Sequence, residues 1–188
     1  MHNQAYLTMN KLFIPVFILI LFLPINGCIK KADNKTKAGP LAENNIKNIK
    51  VINETDLKEL INNNKGKVLF VNVWATWCKP CVEEFPDIVK LYEENKRSGV
   101  EVLSLTVDLP SEVDSKVIPF LKNQNAHFPV YILDEKSSGE IIDFLNPEWS
   151  GAIPATFIYD ETGKQQVFLL GANNFKTFKE NVDRIKNL

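Results

Sequence analysis

From Thr55 onward the apolar positions of the chain switch between helical and strand spacing. Leu57, Leu60 and Ile61 recur at helical intervals behind Thr55, whose hydroxyl can cap the helix. Val68 to Trp74 is a near-continuous apolar run, the pattern of a central strand covered on both faces. After Cys81 the spacing turns helical again, with Phe85, Ile88, Val89 and Tyr92 on one face and Pro86 placed to kink it. Val100 to Val107 predicts the next strand, Ser111 to about Asn123 a crossover helix, Phe128 to Leu133 a short strand, and Gly139 to Leu145 a short helix. Ala155 to Tyr159, the turn Asp160-Glu161-Thr162-Gly163 and Gln166 to Leu170 form a β-hairpin pattern. Phe175 to Leu188 then carries Phe175, Phe178, Val182 and Ile185 at helical spacing. Strands alternating with helices, followed by a hairpin and a helix, predict an α/β fold with a central mixed β-sheet flanked by helices on both faces.

The first 45 residues follow neither pattern. Lys11 is followed by the apolar run Leu12 to Ile25, interrupted by Pro15 and Pro24. At roughly 14 residues it falls short of the about 20 that a membrane span needs, and it suits the core of a signal peptide. Ile25-Asn26-Gly27-Cys28 resembles the lipobox of bacterial lipoproteins, in which the cysteine is lipidated and becomes the mature N-terminus. The expectation is a lipoprotein signal peptide over 1–27 with Cys28 as the lipidation site. From Cys28 to Asn45 the chain is rich in Lys, Asn and Ala, contains Gly39-Pro40 and has almost no large apolar residue. It cannot bury enough surface to offset its ordering entropy, so 28–45 reads as a flexible tether. Residues 46–188 have the size of one domain.

Composition narrows the chemistry. A formal net charge of -1 gives no reason to expect nucleic acid as a partner. The chain has three cysteines. With Cys28 as an anchor, the other two stand as Cys78-Lys79-Pro80-Cys81, at the point where the strand pattern gives way to the helical one. A strand running into Cys-x-x-Cys at a helix N-terminus is the sequence form of a dithiol/disulfide redox site. Unpaired N–H groups and the positive end of the helix dipole stabilise an anion there, and only the thiolate attacks disulfides. Cys78 is therefore expected to be the exposed nucleophile and Cys81, one turn in, the resolving thiol. A zinc half-site would need two more ligands, yet no second cysteine pair exists and the folded part holds one histidine, His127.

The order of elements resembles the thioredoxin fold, and the motifs match more narrowly. Trp77-Cys78-Lys79-Pro80-Cys81 resembles the family's W-C-x-P-C, Pro86 falls where that family kinks its active-site helix, and Ile153-Pro154-Ala155-Thr156 is similar to its cis-proline segment. The longer block from Trp74 to Pro86 and the extra segment from Leu109 to Gly139 are closer still to the TlpA/ResA-type branch, the membrane-tethered thiol-disulfide oxidoreductases of bacteria. The resemblance covers about Ile46 to the C-terminus. It implies a monomeric, extracytoplasmic, membrane-anchored enzyme that reduces disulfides of substrate proteins, apocytochrome c among them. It implies recharging by a membrane electron donor of the DsbD/CcdA kind. No metal, nucleotide or flavin cofactor is implied, because the sulfurs carry the electrons.

The resemblance also assigns residues. It implies catalytic roles for Cys78 and Cys81, and for Glu84, because a glutamate at this place in the ResA-type branch lies beside the dithiol and is tied to its acid–base behaviour. It makes Pro154 cis, with Ile153 touching the substrate. Trp77, Lys79 and Pro80 flank the sulfurs and join the substrate contacts. Trp149 is offered either as a wall of the substrate groove or as core. Asn72 stands where thioredoxin itself carries a buried acid, so proton transfer to Cys81 has to use Glu84 or water. His127 is expected in a loop or at the surface. Two alternatives share the fold: an oxidase of the DsbA kind, and a copper-delivery protein of the Sco type. The Sco branch uses C-x-x-x-C with a distant histidine ligand, whereas this chain has two residues between its cysteines and His127 precedes the cis-proline segment. A peroxiredoxin-like peroxidase fits less well, since no threonine stands ahead of a lone peroxidatic cysteine.

Overall fold

The computed structural model describes residues 49–188. The expected signal peptide 1–27, the lipidation site Cys28 and the tether 28–45 lie outside the described residues. In chain order the elements are β1 (Lys50–Ile52), α1 (Glu54–Asn63), β2 (Val68–Trp74), α2 (Lys79–Asn95), β3 (Val100–Thr106), α3 (Ile118–Asn123), β4 (Val130–Leu133), α4 (Ser138–Leu145), β5 (Ala155–Tyr159), β6 (Gln165–Leu170) and α5 (Phe175–Lys186). Six strands make one sheet in the order β1-β4-β3-β2-β5-β6. The first four in that order run parallel, and β5 and β6 are antiparallel, so the sheet is mixed as expected. Among the described residues no helix is long and apolar enough to cross a membrane.

β2 sits inside the sheet and is buried at all seven positions. The period-two alternation of a strand then sorts its side chains between two cores. Val68, Phe70 and Trp74 pack with Phe85, Ile88 and Leu91 of α2 and with Phe178, Val182 and Ile185 of α5. Leu69, Val71 and Val73 pack on the other face with Leu57 and Ile61 of α1 and Ile141 and Leu145 of α4. Asn72 shares its alternation with Phe70 and Trp74 and so belongs to the α2 side. α2 continues through Pro86 as one helix.

Apart from shifts of one or two residues at strand and helix ends, three features differ from the sequence expectation, each for a local reason. The first helix is capped by Asn53, not Thr55: Asn53 Oδ1 accepts from Asp56 N at 3.0 Å and Asp56 returns the favour to Asn53 N, a complete capping box. The crossover segment is not one helix but a 3₁₀ turn (Pro110–Glu112), a π-turn (Val113–Val117) and the short α3. Pro119 explains the break, because it has no N–H to continue an α-helical ladder from the preceding turn. β1 was invisible to periodicity, since three residues are too few to show an alternation.

Replacing Asn53 with Ala is expected to destabilise the domain by about 1 kcal/mol, whereas Thr55→Ala, at an exposed position inside the helix, is expected to cost nothing or to stabilise by a few tenths of a kcal/mol. Urea unfolding of the two variants checks this, and equal effects would contradict the capping assignment.

Candidate active site

The redox pair lies in the turn between β2 and α2. Trp74 ends the strand, Ala75 O accepts from Cys78 N at 3.2 Å, and Cys78 takes an extended backbone (φ -86°, ψ 101°) as the N-cap of α2. Its Sγ accepts from Cys81 N at 3.3 Å, so the sulfur itself occupies the capping position, where a side-chain oxygen is usual. Pro80 fits in the first turn because its missing N–H would have had no intrahelical partner. The two sulfurs are bonded at 2.01 Å, so the structure holds the oxidised form. Cys78, expected to be exposed, is instead a buried residue at 6 % exposure, because the turn and the sheet cover it, and Cys81 is fully covered.

Around the pair, Trp77 is 63 % exposed and Lys79 projects into solvent, 3.7 Å from a carboxylate oxygen of Glu83. That exposed ion pair and solvent screening leave Lys79 a weak influence on the sulfur. The Ile153–Pro154 peptide bond is cis. Ala155 pairs with Val73, which sets the cis-proline at the same end of the sheet as the redox turn. Pro154 O accepts from Gly171 N at 2.9 Å, and Ile153 remains half-buried.

Glu84 is 2 % exposed, three residues past Cys81 on the inner face of α2. Asn72 Nδ2 donates to one carboxylate oxygen at 3.0 Å and the backbone N–H of Asn173 to the other at 2.9 Å. Burial pushes its pKa up to about 7, against the lowering effect of the Asn173 and Asn72 hydrogen bonds, and nearby Asp87 adds to the rise. An acid poised there can hold or release a proton at neutral pH. Asn72 also donates to Thr156 Oγ1 at 3.2 Å, linking the central strand to the strand after the cis-proline. Its buried Oδ1 has no hydrogen-bond partner and can accept from protonated Glu84 once the amide turns over.

Trp149 takes the core alternative. It is buried in the cluster on the face opposite α2, stacks edge-on against Phe157 at 5.2 Å and donates its Nε1–H to Ala152 O at 2.8 Å. An indole with its N–H satisfied inside is held there by packing. His127 is half-buried, with its Nδ1 covered. Two participants escaped the sequence reading. The Asn173 amide comes from the loop after β6, and Asp108, at the end of β3, binds the redox turn through Thr76. Both are distant in sequence, and no local spacing marks them.

Similarity to known proteins bears on this geometry. A family model described as the AhpC/TSA family matches residues 40–167. The chain belongs to the AhpC/TSA family. Among its relatives is the thiol-disulfide oxidoreductase ResA of Bacillus cereus (strain ATCC 10987), 32 % identical over 182 residues that span 94 % of this chain and 97 % of the relative. The ResA of Geobacillus thermodenitrificans is 28 % identical over 178 residues with the same coverage, 94 % of this chain and 97 % of the relative. Of solved structures, a thiol:disulfide interchange protein of the thioredoxin family from Chlorobium tepidum superposes with a TM-score of 0.56 at 27 % identity, covering 65 % of this chain and 82 % of that one. A thioredoxin-related protein from Neisseria meningitidis serogroup B gives the same TM-score of 0.56 at 26 % identity, covering 66 % and 88 %. The fold is thioredoxin-like, and this AhpC/TSA member is a thiol-disulfide oxidoreductase.

The raised Glu84 pKa has a stability consequence of definite sign. The folded state binds this proton more tightly than the unfolded chain, so the contribution of Glu84 to stability is fully present below the ordinary value of 4.5 and is lost as pH rises to about 7. Subtracting Glu84→Gln from the native chain in urea unfolding of the oxidised form isolates the effect. The difference should grow by on the order of 3 kcal/mol across that window, in favour of the variant at high pH. A flat difference would mean that Glu84 titrates normally.

Proposed function

We propose that this oxidoreductase works outside the cytoplasm, tethered to a membrane through lipidated Cys28 behind the 1–27 signal peptide, and that it reduces disulfides in substrate proteins. The observation carrying the reading is the Cys78 sulfur at the cap of α2, where backbone N–H groups favour the thiolate that attacks disulfides. The reduced enzyme reacts in two steps. The Cys78 thiolate attacks a substrate disulfide, forming a mixed disulfide and expelling one substrate sulfur as thiolate. Cys81 then loses its proton, attacks Cys78 Sγ and releases the second substrate sulfur. Two electrons pass to the substrate, and the Cys78–Cys81 disulfide seen in the structure is the product left on the enzyme.

Glu84 is the acid–base group for the second step, since Asn72 leaves no carboxylate on the central strand. Trp77, Lys79, Pro80, Ile153 and Pro154 form the substrate contacts, with the backbone beside Pro154 pairing with an extended substrate segment. Apocytochrome c is the substrate class that the ResA resemblance suggests, and a DsbD/CcdA-type membrane protein the electron donor. The apolar run from Leu12 to Ile25 and the sequence around Cys28 support the location.

Direction is tested by equilibrating the pair in glutathione or dithiothreitol buffers at neutral pH. A potential near thioredoxin's roughly -270 mV is expected, and one near DsbA's roughly -120 mV would make the protein an oxidant instead. Independently, Cys81→Ser should accumulate a mixed disulfide with a protein substrate, visible on non-reducing gels and absent from Cys78→Ser. Equal trapping by both variants would overturn the assignment of the two thiols.

A further inference from the structure

The strongest unassigned feature is a buried carboxylate aimed at the redox turn from a neighbouring strand. Asp108 follows β3, is 2 % exposed, and belongs to none of the ion pairs among the described residues. Its charge is met by hydroxyl and amide donors. One oxygen accepts from Thr76 N at 2.9 Å and from Thr106 Oγ1 at 2.5 Å, and the other accepts from Thr76 Oγ1 at 2.5 Å. Thr106 Oγ1 in turn accepts from Asp108 N at 3.2 Å. Two of the three side-chain bonds thus end on Thr76, two residues ahead of Cys78.

Burying a charge without a cation is costly, and hydrogen bonds to it are correspondingly strong. A purely structural link between β3 and the start of this turn did not require a carboxylate, because the strand ladder already continues one residue past β3, through Val107 N to the carbonyl oxygen of Trp74, the last residue of β2, at 2.9 Å. The bonds to Asp108 instead fix the one stretch, Ala75–Trp77, that lies between the rigid strand and the capping sulfur. Cys78 is placed from that stretch by its own bond to Ala75 O. If Thr76 moves, the extended backbone of Cys78 and the contact from Cys81 N to its sulfur move with it.

We propose that Asp108, acting through Thr76, is a positioning residue for the redox reaction: it clamps the turn so that the N-terminus of α2 remains on Cys78 Sγ in the thiolate as well as in the disulfide. The inference rests on the redox reading of the pair but not on the direction of electron flow or on any substrate.

The reduced whole chain is alkylated with iodoacetamide across a pH series, and the mass of the Cys78 peptide reports the thiolate midpoint free of Cys28. Thr76→Val replaces the hydroxyl with a methyl group, and Thr76→Ala removes the hydroxyl together with the side-chain methyl. They leave in place the formal charges of Lys79, Glu83 and Glu84 of α2, of Asp108 beyond β3 and of Lys116, which senses Asp108, so a shift does not come from adding or removing a charge. Both are expected to raise the midpoint by about half a pH unit, a roughly three-fold loss of thiolate below it. Thr76→Ser, which keeps both bonds, is expected to restore the native midpoint. In an Asp108→Asn background, where the charge-assisted bond is already gone, Thr76→Val should shift the midpoint less. Thermal unfolding confirms that each variant compared is folded, and either hydroxyl deletion suffices. A folded hydroxyl-deletion variant with the native midpoint would overturn the proposal. So would Thr76→Ser behaving like Thr76→Val, or equal shifts in both backgrounds. A failed redox-direction test would leave all these readings standing.

Discussion

The strand Val68–Trp74 meets water on neither face, so each polar group on it has to find its partner inside the protein. Two such groups organise the site. Trp74 donates its indole N–H to Ser104 Oγ at 2.6 Å, tying the end of the strand to its neighbour. Asn72, on the same alternation, reaches Glu84 of α2 and Thr156 of β5. Because the strand cannot shift without stranding these groups, the turn that follows it starts from a fixed point, and the cysteine pair inherits that precision.

Electrostatics at the pair is a balance between one helix end and the side-chain charges around it. The N-terminus of α2 supplies N–H groups to Cys78, which favours the thiolate. The same helix carries Glu84 one turn further in, where a permanent negative charge would oppose that effect. Burial resolves the conflict by raising its pKa to about 7, so the acid can be neutral when the thiolate needs it so and can still accept a proton. Lys79 is too exposed to weigh much, and Asp108 has its charge held by Thr76 and Thr106. The arrangement serves a dithiol that must pass between bonded and ionised forms.

Much of this could be read from residue patterns, and what could not has a common physical origin. The apolar run of β2, the helical stripe of α2, the Trp77-to-Cys81 motif and the Ile153–Pro154 segment are local signals, and each maps onto the element or position expected. Local rules failed where short or irregular backbone was involved. The three-residue β1 has no measurable period, and Pro119 divides the crossover segment into turns that a stripe of apolar residues cannot distinguish from a helix. Thr55 looked like a cap by type, but Asn53 won because only there does Asp56 reciprocate.

By itself the sequence determined the α/β order, the redox pair at a strand–helix junction and the acid one turn beyond it, because all of these depend on residues within a few positions of one another. Tertiary structure decided what surrounds the pair. It sent Trp149 into the opposite core, raised the pKa of Glu84 by burying it in spite of the hydrogen bonds from Asn72 and the Asn173 amide, and brought Asp108 from just beyond β3 onto Thr76. Those contacts join residues 12 to 89 positions apart, and only the pairing of strands and the packing of helices on them could bring such groups within hydrogen-bond distance.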